Sequence, residues 1–195
     1  MGDEYADTRH NIGFMVLDAM VQASNSFFTD RRYGFISHIQ YRGRELILLK
    51  PSTFMNLSGN AVRYWLNREK TEPGNLLVIV DDIALPLGSI RMRPKGSDGG
   101  HKGLAHITSV LGTSEYARIR VGIGNSFNKG SKVNYVLGTW KPEELEFLRK
   151  RLDIVIEMIR SFTVVGAELT MTAFNRTGKL METNTDLNNA KEKIQ

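Results

Sequence analysis

The sequence predicts an α/β fold: a single domain built on a twisted, mixed β-sheet flanked by helices. Three observations predict it. Apolar runs of strand length alternate with segments of helical period along the chain. The run Leu76-Leu77-Val78-Ile79-Val80 ends in Asp81-Asp82, the pattern of a strand buried on both faces with acids at its carboxyl end. At 195 residues, 41% of them hydrophobic, the chain has the length of one domain and enough apolar side chain to build a core without staples. We expect that domain over residues 1–177 and a polar, Asn-rich tail over 178–195.

Each element has its own signal. Phe14, Leu17, Met20 and Val21 keep helical spacing and predict a helix over 13–28, which Asn11 can cap. Loose alternation predicts a strand over 33–41. Residues 45–50 read as a buried strand stopped by Pro51. A Ser-Gly-Asn stretch opens a helix over 57–69, and strands follow at 76–82 and 89–94. A glycine-rich loop at 96–103 leads into a short helix over 103–112. Strands are expected at 117–123 and 133–138. Leu145, Leu148, Leu152, Val155 and Ile159 mark an amphipathic helix over 142–161, with one more helix over 166–175.

Composition narrows the function. The chain has no cysteine, which excludes disulfides, thiolate metal sites and cysteine nucleophiles. No apolar run approaches the roughly 18 residues of a membrane helix, and the N-terminus is polar, so a cytoplasmic protein is expected. The net charge is +5, but residues 89–135 alone carry eight Lys/Arg against two acids. A basic surplus confined to one stretch fits an anionic partner, nucleic acid foremost, and equally a solvated basic face.

The chemistry the residues allow is limited. The four histidines lack metal-ligand spacing, so no metal site is expected. There is no Gly-x-Ser-x-Gly, no phosphate-binding Walker sequence and no dinucleotide fingerprint. His10, just before the first helix, is either a cap or a general base, and a general base needs a carboxylate to orient it. Asp81, at a strand's carboxyl end, is the natural partner, although strand-end acids are also common turn residues. Asn56 can donate and accept, so it suits either substrate binding or a helix cap. The stretch Asp98-Gly99-Gly100-His101-Lys102-Gly103 lets backbone amides approach a ligand at a helix N-terminus, or is simply a flexible connection.

Six segments in order resemble the bacterial peptidyl-tRNA hydrolase family. They are Glu4-Tyr5 with Thr8-Arg9-His10-Asn11-x-Gly13-Phe14; Lys50-Pro51-Ser52-Thr53-Phe54-Met55-Asn56-Leu57-Ser58-Gly59; Asp81-Asp82-x-x-Leu85-Pro86-x-Gly88; Gly99-Gly100-His101-Lys102-Gly103-Leu104; Arg118-x-Arg120-x-Gly122-Ile123-Gly124; and Tyr135-Val136-Leu137-Gly138. The resemblance implies cleavage of the ester between a peptide and the 3′ ribose of tRNA, by a cytoplasmic monomer that needs no cofactor or metal. It implies His10 as general base, Asp81 as its orienting carboxylate and Asn56 as the residue that positions peptide and water. Tyr5, Phe54 and Lys102 fall at substrate-site positions. Arg93 and Arg120 fall where members contact the 5′-phosphate of tRNA.

Two departures accompany the resemblance. Members begin with an apolar strand ending in Gly-Asn-x-Gly, whereas this sequence opens Met1-Gly2-Asp3-Glu4-Tyr5; that strand is expected to be missing, leaving a gap in the sheet. Lys102 stands where members commonly have asparagine, and lysine only donates. These departures motivate an alternative, a tRNA-binding relative with impaired catalysis. A hydrolase of small nucleotides is a third reading, suggested by the α/β class and the glycine loop.

Overall fold

The computed structural model describes residues 8–128 and 130–176. Tyr5 and the expected tail over 178–195 lie outside the described residues. Strands β1 (Thr29–Arg31), β2 (Gly34–Tyr41) and β3 (Arg44–Pro51) form an antiparallel sheet in that order. Arg42 and Gly43 join β2 to β3 with φ of 48° and 74°, the left-handed pair that a two-residue hairpin requires. Strands β4 (Leu77–Asp82), β5 (Ile90–Arg93) and β6 (Ala117–Gly122) form a second sheet in the order β4-β6-β5. There β4 runs parallel and β5 antiparallel to β6.

Helices cover both faces. Ile12, Val16 and Met20 of α1 (Ile12–Ala23) join Leu148, Leu152, Val155 and Met158 of α5 (Pro142–Phe174) over Ile90, Met92, Ile119 and Val121. On the other side, Val62 of α2 (Ser58–Arg68) and Leu104 and Ile107 of α3 (Lys102–Leu111) enclose Val80 and Tyr116. Helices α2 and α3 pack closely because position 59 is glycine. A Cβ there would stand 2.6 Å from the His106 carbonyl oxygen, and the Gly59 N–H donates to His106 Nδ1 at 2.9 Å. His106 is thus structural, while His38 is exposed beside Glu45.

The strands fall into two three-stranded sheets. Among the described residues, β3 and β4 are edges with no ladder between them, and a cavity of about 740 Å³ runs along both, lined by Leu46, Leu48, Val78, Val80, Phe14 and Trp65 among others.

One expectation is corrected at residues 133–138. They form no strand; α4 (Lys132–Val136) is a short helix. Val133, Tyr135 and Val136 have strand propensity, but Tyr135 is claimed by tertiary contacts. Its ring lies under the Arg9 guanidinium at 4.5 Å, and its hydroxyl donates to the Ile123 carbonyl at 2.7 Å. The two helices expected after residue 142 meet within α5 at a kink at Gly166, where φ is 81° and ψ −179°. Among the described residues, no helix is long and apolar enough to cross a membrane.

Candidate active site

His10 sits in a single 3-10 turn, Arg9–Asn11, that leads into α1. The turn is fixed by its neighbour. Arg9 is buried, stacks on Tyr135 and Trp140, donates Nη1 to the Thr139 carbonyl at 2.8 Å and pairs Nη2 with Glu144 at 2.7 Å. The Arg9 N–H also donates to the Gly138 carbonyl at 3.0 Å. An anchored residue on one side and a buried helix on the other leave His10 little freedom.

Asp81 is the penultimate residue of β4, opposite Val121 of β6, and its side chain is 4% exposed. His10 Nδ1 lies 2.6 Å from Asp81 Oδ1. His101 Nε2 lies 3.2 Å from that same oxygen. His101 also caps α3, because its Nδ1 accepts the Leu104 N–H at 3.3 Å. A neutral imidazole that accepts at Nδ1 carries its proton on Nε2, so His101 donates to Asp81. Burial alone would raise the Asp81 carboxyl, but the hydrogen bonds from His101 and His10 outweigh it and hold the group at about 2. Asp81 is therefore ionised, and His10 donates Nδ1–H to it. That leaves the His10 Nε2 lone pair for the cleft, which His10, Thr53, Met55, His101 and Gly103 line.

His101, read from the sequence only as part of the glycine-rich stretch, is the second donor to the Asp81 carboxylate. His10, Asp81 and His101 also group closely enough to suggest a metal site. The His101 tautomer opposes it. A metal on Nε2 would move the proton to Nδ1, head-on to the Leu104 N–H.

The remaining candidates are spread around this centre. Asn56 belongs to the 3-10 turn Met55–Leu57; Met55 lines the cleft, while the Asn56 side chain is exposed and is not a partner of Asp81. Phe54 precedes that turn and is 66% exposed. Lys102, the first residue of α3, is exposed. Of the loop amides, Gly100 and His101 N–H are taken by Asp98, and Leu104 N–H by His101. The N–H groups of Lys102 and Gly103 stand in the first turn, where a helix has no internal acceptor.

The basic segment is less free than its charge suggested. Arg118 is buried. Arg120 pairs with Asp82 at 3.1 Å and donates to the Ser97 carbonyl at 2.9 Å. Lys95 pairs with Glu115. Arg91 and Arg93 project from β5, both exposed.

A family model described as peptidyl-tRNA hydrolase matches residues 1–183. The peptidyl-tRNA hydrolase of Bacteroides fragilis is 53% identical over 176 residues, covering 90% of this chain and 94% of that protein. Its counterpart in Porphyromonas gingivalis is 47% identical over 175 residues, covering 90% and 95%. Among solved structures, the peptidyl-tRNA hydrolase of Acinetobacter baumannii superposes with a TM-score of 0.82 at 26% identity, over 88% of each chain.

Proposed function

The chain belongs to the peptidyl-tRNA hydrolase family and is an enzyme that hydrolyses peptidyl-tRNA; on that premise we propose that His10 is its general base, oriented by Asp81. Neutral His10 takes a proton from water at Nε2 as the oxygen attacks the ester carbonyl. As the ester C–O bond breaks, the imidazolium returns that proton to the departing ribose oxygen, which leaves as the hydroxyl. Asp81 fixes the tautomer and stabilises the charged ring. The observation that carries this reading is the 2.6 Å contact between His10 Nδ1 and a buried, ionised Asp81.

The developing oxyanion needs donors. The first-turn amides of Lys102 and Gly103 are the candidates, with Asn56 reaching in from the facing turn to hold the peptide. Phe54 and Tyr5 are assigned to the substrate's peptide and terminal-nucleotide contacts. Exposed Arg93 is the cation open to the tRNA 5′-phosphate, and Arg120 must share its guanidinium between Asp82 and that phosphate. Such contacts position tRNA without reading its bases. The enzyme acts as a cytoplasmic monomer, as the resemblance implies. An impaired tRNA-binding relative has no support, since His10 and Asp81 stand assembled.

The test is single-turnover release of an N-acetylated amino acid from tRNA. The wild-type chain is expected to release it. His10→Ala should bind tRNA with unchanged affinity and release nothing. Release by His10→Ala at the wild-type rate would refute the assignment.

A further inference from the structure

We infer that Arg118 is a positioning residue for catalysis: its buried guanidinium grips the chain on both sides of α3 and thereby seats His101 on Asp81. Arg118 is 1% exposed, and all of its hydrogen bonds go to backbone carbonyls. A buried charge without a directly paired carboxylate is expensive, and an apolar side chain would fill a central strand position more cheaply. Burial accordingly pulls the Arg118 pKa below the ordinary arginine value.

What the guanidinium supplies is planar, multiple donation to chain segments that no β-ladder connects. On one side of α3, Nη2 donates to the carbonyls of Ser114 and Tyr116 at 2.9 and 3.0 Å. On the other, Nη1 donates to the carbonyls of Gly96 and Ser97. The guanidinium also lies over the Tyr116 ring at 4.3 Å, and the Tyr116 hydroxyl donates to the Leu104 carbonyl within α3.

From the gripped Ser97 the path to the site is short and stiff. Asp98 follows; its side chain accepts the Gly100 N–H at 2.7 Å and its carbonyl accepts the His101 N–H at 3.1 Å. His101 then donates to Asp81. Without the grip, Gly99 and Gly100, both at positive φ, would leave His101 on a loose loop. His101 would leave Asp81, and Asp81 would lose one of the two donors that fix its orientation toward His10.

The inference rests on His10 and Asp81 being the reacting pair. The test is Arg118→Lys, because lysine keeps the charge and cannot span four carbonyls. Steady-state kinetics on N-acetylaminoacyl-tRNA should show kcat reduced tenfold or more, with KM within twofold of wild type. Imidazole ¹⁵N spectra should lose the His101 signal of a fixed Nε2–H tautomer. Unchanged kcat and unchanged His101 signals in a cooperatively folded variant would overturn the inference. A rise in KM alone, with a shallower salt dependence, would overturn it in favour of a tRNA contact. If Arg118→Lys does not fold, one glycine inserted in the exposed loop between Ser97 and Asp98 leaves the four carbonyls gripped but uncouples them from His101. The same kcat loss is then expected, and wild-type kcat would refute the link. Failure of the underlying reading is separate, since it would show as activity in His10→Ala.

Discussion

His101 donates its Nε2–H to Asp81 Oδ1 across 3.2 Å, onto the oxygen that His10 Nδ1 meets at 2.6 Å. One carboxylate thus serves two imidazoles that arrive from opposite parts of the chain. His10 comes from the turn before α1, and His101 from the N-terminus of α3. Their rings lie 5.0 Å apart. With two donors on it, Asp81 remains an anion even though it is buried, and an anion is what a general-base histidine needs beneath it.

Acid stability should report this arrangement. The Asp81 carboxyl is lowered from 3.8 to about 2; burial opposes that shift, and the His10 and His101 hydrogen bonds produce it. A depressed carboxyl contributes stability above its unfolded value, and the contribution fades as pH falls through its folded value. Urea unfolding of wild type and Asp81→Asn between pH 5 and pH 2 should therefore show the wild-type advantage shrinking below about pH 4. A gap that stays constant down to pH 2 would mean that Asp81 is not held ionised.

Arg93 should matter for tRNA and not for chemistry. It is exposed on β5, beside Arg91 and opposite Arg118. Arg93→Gln is expected to weaken tRNA binding and to lower the slope of log affinity against log salt by about one. Cleavage of a minimal aminoacyl-ribose ester without phosphates should be unaffected. An unchanged salt slope would remove Arg93 from the tRNA surface.

Arg9 makes a stability prediction. Its guanidinium is partnered by Glu144, which also accepts the Lys141 N–H at 2.9 Å at the start of α5. Glu144→Ala leaves a buried cation without its anion and uncaps the helix, and should cost about 1–3 kcal/mol in urea unfolding. A loss within error of zero would show that the aromatic stack on Tyr135 and Trp140 holds Arg9 by itself.

Much of this was legible in the sequence, for identifiable reasons. The apolar run before Asp81 has no polar residue to compete with a buried strand, and Leu148, Leu152, Val155 and Ile159 leave one choice of helix face. His10 and Asp81 were legible because one sits at a helix entry and the other at a strand's carboxyl end. Three features were not. Residues 133–138 have strand propensity, and the tertiary contacts of Tyr135 with Arg9 and Ile123 accompany a short helix there instead. Arg118 and Arg120 counted toward the basic segment, because composition does not show which charges a loop will cover. His101 read as a loop residue; its place directly before the first turn of α3 was the available signal, since capping residues stand there, but its reach to Asp81 depends on how that loop folds back.

The central claim is that His10 and Asp81 act as one catalytic unit, and single-turnover rates of His10→Ala, Asp81→Asn and the double variant test it most directly. Each single substitution is expected to slow ester cleavage by roughly 10²-fold or more, with the double variant no slower than His10→Ala. Losses that multiply in the double variant, or a His10→Ala rate near wild type, would contradict the account.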